Sequence, residues 1–132
     1  MKTYKECEIT VDILGTPYTI IICPENSDKR FKQLNCGGFC DYSSKKLYIS
    51  NYVGLEDDKD PYVDDCQYII QKAIMHEMVH AYFYESGLGE DWEHKQYGQE
   101  ETVVDWIARQ LSKMHETAEI IFEKIHPYKI EI

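Results

Sequence analysis

At 132 residues the chain can bury one modest core, and its 43% apolar and 13% aromatic content suits a folded globular domain rather than a disordered segment. A formal net charge of −10 argues against nucleic acid and anionic membranes as partners, since both would be repelled. No apolar run approaches the ~20 residues that a membrane span needs, and the opening MKTYKECEITVDIL, with Glu6 and Glu8, does not read as a signal peptide. Five cysteines, Cys7, Cys23, Cys36, Cys40 and Cys66, are an odd number without a secretory signal, which reads as free thiols in a reducing cytoplasm.

Cys7, Ile9, Val11 and Ile13 alternate with polar residues, the period of a half-buried strand. Gly15-Thr16-Pro17 breaks the pattern, and Tyr18 to Cys23 is a second β-branched run, so the opening reads as a hairpin. Asn26 or Ser27 is a candidate cap for a short helix through Leu34, with Gly37-Gly38 as its stop. Leu47 to Ser50 reads as a third strand, entered by a polar turn over Asp41 to Lys46 and followed by an acidic, solvated loop from Glu56 to Pro61. Asp64, with Gln67 three residues on, is a candidate capping box for a long helix that Gly87 ends. Its apolar residues cover nearly the whole circumference, the mark of a core helix. The segment from Leu88 to Gly98 reads as a loop, and a last helix is expected from near Gln99 to about Ile125, with a break near Lys113. Without repeats or linkers, residues 1–132 read as a single domain.

The chemistry lies in His76-Glu77-Met78-Val79-His80, an HExxH pattern inside the long helix. Four-residue spacing puts both imidazoles on one helix face, where they can converge on one tetrahedral zinc. Glu77 sits one residue round, placed to take a proton from a water that the metal acidifies. Such a pattern arises by chance in roughly a few per thousand chains of this length. A catalytic zinc needs a third protein ligand and an open fourth position. Glu101 is one candidate, with Asp105 four residues on and on the same helix face, able to brace a ligand imidazole. Its neighbour Glu100, the loop residue His94, and Cys36 or Cys40 are the others. Cys36 and Cys40 have a spacing that also suits a redox pair, although ordinary buried thiols explain it more simply. Trp92 and Tyr97 lie in the loop that would border the cleft, where Tyr97 could donate to a developing oxyanion.

HExxH, a glutamate about twenty residues later and an aspartate four beyond it resemble the gluzincins, the thermolysin-like zinc peptidases. The run Glu100-Glu101-Thr102-Val103-Val104-Asp105-Trp106-Ile107-Ala108 after HExxHAYFYESGL is also similar to compact zinc peptidase-like proteins of phages and mobile elements. The likeness covers roughly residues 66 to 110 and implies Zn2+ held by His76, His80 and Glu101, with Glu77 catalytic and Asp105 bracing a histidine. It implies an α+β, minigluzincin-like fold, a small mostly antiparallel sheet packed on a buried HExxH helix with a glutamate-bearing helix alongside. The activity implied is hydrolysis of a peptide or protein substrate laid along an edge strand, taken to be Leu47 to Ser50. The chain has no counterpart of the C-terminal subdomain through which larger gluzincins supply an arginine and a histidine to substrate. HExxH followed by Ala81-Tyr82 is also similar to the SprT-like proteases, in which a loop histidine, here His94, would be the third ligand. Here Lys95-Gln96-Tyr97 follows that histidine, and the acidic charge does not suit the DNA that such proteases often bind. A non-catalytic zinc-stabilised regulatory module of a mobile element is a third reading, in which Glu77 would have no task beside the metal.

Overall fold

A computed structural model describes residues 1–55, 64–87 and 101–129, and of residues 101–105, 108 and 129 only the backbone. The acidic loop at 56–61 and the loop at 88–98 fall outside that set.

Alternating hydrophobicity builds the first hairpin as its pattern requires. In β2 (Cys7–Ile13), Ile9, Val11 and Ile13 are buried while Glu8, Thr10 and Asp12 are exposed. Its antiparallel partner is β3 (Thr16–Cys23), which pairs Cys7 with Ile22 and Ile13 with Thr16. Only Leu14 and Gly15 make the turn, both left-handed at φ 50° and 90°, the two-residue geometry that matches strand twist. The Asp12 carboxylate accepts the Gly15 N–H at 3.1 Å. The reversal therefore falls ahead of Pro17, which lies inside β3. Pro17 precedes Thr19, where β3 gains its second neighbour, so its missing N–H interrupts no ladder.

That second neighbour is β5 (Lys46–Ser50), parallel to β3 and antiparallel to β4 (Gly38–Asp41), giving the order β2-β3-β5-β4. The sheet is mixed, and Leu47 to Ser50 is an interior strand rather than an edge. The edge beside the long helix is β4, four residues that the sequence pattern did not distinguish from the neighbouring turn. Ser50 N–H donates to the Gly37 carbonyl at 2.9 Å. By the alternation of an antiparallel ladder, the N–H and C=O groups of Gly38 and Cys40 then point away from β5. Among the described residues no strand pairs with that side. A second, two-stranded sheet joins β1 (Lys2–Tyr4) to β6 (Pro127–Lys129).

The helices cover both faces of the main sheet. On one side α1 (Arg30–Leu34) buries Phe31 against Phe39, while the Arg30 guanidinium lies 4.6 Å and 4.5 Å from the ring centres of Phe39 and Tyr48. Neither Asn26 nor Ser27 caps α1; both sit in a preceding 3-10 turn at Glu25–Ser27. The stop is Asn35, left-handed at φ 48° with its N–H on the Lys32 carbonyl, not the glycine pair.

On the other face lies α2 (Cys66–Glu85). Its N-cap is Asp65, which accepts the Tyr68 N–H at 3.3 Å, one residue beyond the expected Asp64. Gln67 does not close a capping box; its amide donates to the Thr3 carbonyl at 3.0 Å and ties the helix to β1. Cys66, Ile70, Ile74, Met78, Ala81 and Tyr82 form its buried stripe, and Lys72, His76 and His80 are exposed. The helix is thus half in the core, not surrounded by it. The last helix, α3 (Glu101–Lys124), runs unbroken past Lys113. It packs Met114, Ala118 and Ile121 into the same core. Tyr82 meets Thr117 while its neighbour Phe83 meets Trp106, so α3 crosses the C-terminal part of α2.

Candidate metal centre

The two sheets anchor α2, β1 at its N-terminal end through Gln67 and the main sheet at its C-terminal end, and this fixes the direction in which the HExxH residues point. At the C-terminal end Glu85 accepts from the Tyr18 hydroxyl at 2.7 Å and the Thr16 hydroxyl at 3.0 Å, and pairs with Lys45 at 2.7 Å. These contacts hold its carboxyl below the usual range, the hydrogen bond from Lys45 contributing most. Tyr84, one residue earlier, stacks on Tyr42 with ring centres 4.4 Å apart. No spacing in the sequence signals this cluster, because its members come from three distant segments.

Between the anchors, His76 and His80 place their Nε2 atoms 3.2 Å apart, with the rings edge-on at 71°. Two nitrogens bound to one tetrahedral zinc at 2.0–2.1 Å stand about 3.3 Å apart, so the rings already have the separation a metal requires. His76, Glu77 and His80 each bring a ligand atom within 4.8 Å of the others, and among the described residues this is the group that could hold a metal ion. Glu77 is 6% exposed, and burial raises its pKa while His76 opposes the rise. Burial also lowers the pKa of His80, with His76 adding to the effect. A neutral imidazole keeps the lone pair that metal binding uses.

Glu77 faces β4, where Cys40 packs into the main core and Cys36 lies two residues before the strand opens. Burial, with the Glu77 carboxylate next in weight, pushes the Cys40 thiol up to about 12. Burial raises the Cys36 thiol as well. All five cysteines are free thiols, and neither Cys36 nor Cys40 joins the His–Glu–His group. The side chains of Glu101 and Asp105, and residues Glu100, His94, Trp92 and Tyr97 altogether, lie outside the described set. What is described is that Glu101 opens α3 and that Trp106, next to Asp105, stacks on Phe83 at 4.6 Å, three residues beyond His80.

Fold and site together define a small α+β protein in which two exposed histidines and a buried glutamate on one helix, beside a sheet edge, form a group that could hold a metal ion. Comparison with known protein families, curated proteins and solved structures finds no match for this chain. No helix among the described residues is long and apolar enough to cross a membrane.

Proposed function

We propose that this chain is a zinc-dependent hydrolase of minigluzincin-like organisation that cleaves a peptide bond in a peptide or protein substrate. The observation that carries the reading is the convergence of the His76 and His80 Nε2 atoms at 3.2 Å beside a buried carboxylate on the same helix. Zinc held there would supply a Lewis acid that polarises a carbonyl and acidifies a water. His76 and His80 are two of its ligands and Glu101 is the third, with Asp105 bracing an imidazole. The Phe83–Trp106 stack supports this by carrying the first turns of α3 to the histidine end of α2. Glu77 is the base: its carboxylate oxygen takes the proton of the attacking water and returns it to the leaving amine. The outer side of β4, which pairs with no other strand among the described residues, offers an extended peptide a ladder to join.

Glu77→Gln tests the assignment. The variant should keep its zinc and its fold while hydrolysis of a peptide library falls by several orders of magnitude, since the ligands stay and the base is gone. A variant that cleaves as well as its parent would show that Glu77 is not the base.

A further inference from the structure

We propose that Tyr42 and Tyr84 form a substrate subsite that receives an aromatic or large apolar side chain, two or three residues before the scissile bond; this rests on the hydrolase reading above. Two contacts fix how β4 runs past α2. At the start of the strand, Glu77 Cγ lies at ordinary contact distance, 3.4 Å, from where a Cβ on Gly38 would stand. Just past its end, Tyr42 stacks on Tyr84 with ring centres 4.4 Å apart and planes at 20°. Strand and helix therefore run side by side in one direction, four strand steps of about 3.3 Å against seven helix steps of about 1.5 Å. Seven residues are close to two full turns, so Tyr84 lies on the same flank of α2 as Glu77, with His80 about one turn from each.

A peptide that joins the outer side of β4 with a carbonyl at the His76–His80 pair is led along this flank. Tyr84 lies six residues, roughly 9 Å, beyond the midpoint of the two histidines, a span that an extended chain covers in two to three residues. Antiparallel pairing, the more stable ladder, turns the N-terminal side of the peptide toward Tyr42. The stack is not absorbed by the core: Tyr42 is 47% exposed and Tyr84 half-buried, and neither belongs to a cluster of buried apolar residues. Its rings present a flat apolar surface on which a further ring can pack. The charged neighbours Lys45 and Glu85 pair with each other at 2.7 Å, so the surface offers ring contact rather than charge.

The test uses acetyl-tripeptide hydroxamates, whose C-terminal hydroxamate chelates zinc and so directs the peptide to the N-terminal side of the cleft. On the zinc-loaded protein, phenylalanine in place of alanine at the second or third residue counted from the hydroxamate should tighten binding about tenfold, the scale of burying and stacking one ring. Lysine at the same place should give no such gain. Tyr42→Ala and Tyr84→Ala should each remove the gain, and Tyr42→Phe should keep it. All three variants should bind zinc and acetohydroxamate within about threefold of the parent, because the rings lie beyond the metal. Tyr42 is the more exposed of the two, so Tyr42→Ala carries the comparison even where Tyr84→Ala does not fold. No gain from phenylalanine in the parent, an equal gain from lysine, or a gain kept in Tyr42→Ala would overturn the proposal. Failure of the zinc-loaded parent to bind acetohydroxamate would instead remove the hydrolase reading, and the subsite with it.

Discussion

Phe83 and Trp106 stack nearly parallel, with ring centres 4.6 Å apart and planes 12° from one another, where α3 crosses α2. Glu101 begins the helix that Trp106 anchors, and His80 lies less than one turn before Phe83 on the other. A double-mutant cycle on Phe83→Ala and Trp106→Ala should therefore show coupling of about 0.5–1.5 kcal/mol in chemical denaturation. Trp106→Ala should also weaken zinc binding although it is no ligand. An unchanged zinc affinity in a folded Trp106→Ala protein would detach α3 from the metal.

The ligand set can be tested without a substrate. The purified protein should carry close to one zinc per chain, and His76→Ala or His80→Ala should abolish it, because too few ligands remain. Competitive chelator titration should show a large loss of affinity in Glu101→Ala and almost none in His94→Ala. Asp105→Ala should lose roughly ten- to a hundredfold, the range for a group that orients a ligand. If His94→Ala sheds the metal while Glu101→Ala keeps it, the SprT-like arrangement takes the place of the gluzincin-like one.

Acid should weaken the fold through Asp41 and Glu85. The Ser43 hydroxyl, with Arg30 among the further donors, holds the Asp41 carboxyl at about 2. Glu85 is likewise lowered, by Lys45 first and then Tyr18. Both are depressed carboxylates, so their stabilisation is complete above the ordinary carboxylate pKa near 4 and is lost as pH falls toward their folded values. Asp41 contributes at most about 2 kcal/mol by this linkage. Urea midpoints should fall between pH 5 and pH 2.5 at roughly constant m, and Asp41→Asn should flatten that slope. A parent and variant with identical pH profiles would contradict the assignment.

Removing Glu85 should cost more than an exposed ion pair would. Tyr18 is fully buried, and Glu85→Ala leaves its hydroxyl without the acceptor it has at 2.7 Å. A loss of about 2–3 kcal/mol is expected, against about 1 kcal/mol for Tyr18→Phe, which removes the donor and leaves the carboxylate its other partners. Guanidinium denaturation of the two variants gives the comparison; equal losses would mean that the hydroxyl, not the carboxylate, organises the cluster.

The features readable from the residues alone were those with a local period. The β2 alternation and the spacing of His76, Glu77 and His80 on one helix are properties of chain geometry, because residues two apart in a strand or four apart in a helix must share a side. The caps were harder to place: Asp64 and Asp65 are equal in type, and the choice depends on where β1 holds the start of α2 through Gln67. The circumference of apolar residues on α2 misled in the same way. Which of them are buried depends on which side meets the sheet, so His76 and His80 came out exposed on a helix that composition alone made a core helix.

The edge of the sheet was decided only in three dimensions. Leu47 to Ser50 is the stronger strand by composition, yet it is interior because β3 pairs with it in parallel on one side and β4 covers the other. Strand order is a long-range choice, set by which faces bury together after the chain returns from Asn35 through Gly38, and no short window of sequence records it. The same return brings Gly38 against Glu77, thirty-nine positions away, and Glu85 against Thr16, Tyr18 and Lys45. Sequence determined which groups can do chemistry, since side-chain spacing on a helix follows from its pitch. The tertiary structure decided what stands beside them, since contacts between distant segments exist only once the sheet has closed and α2 has settled on it.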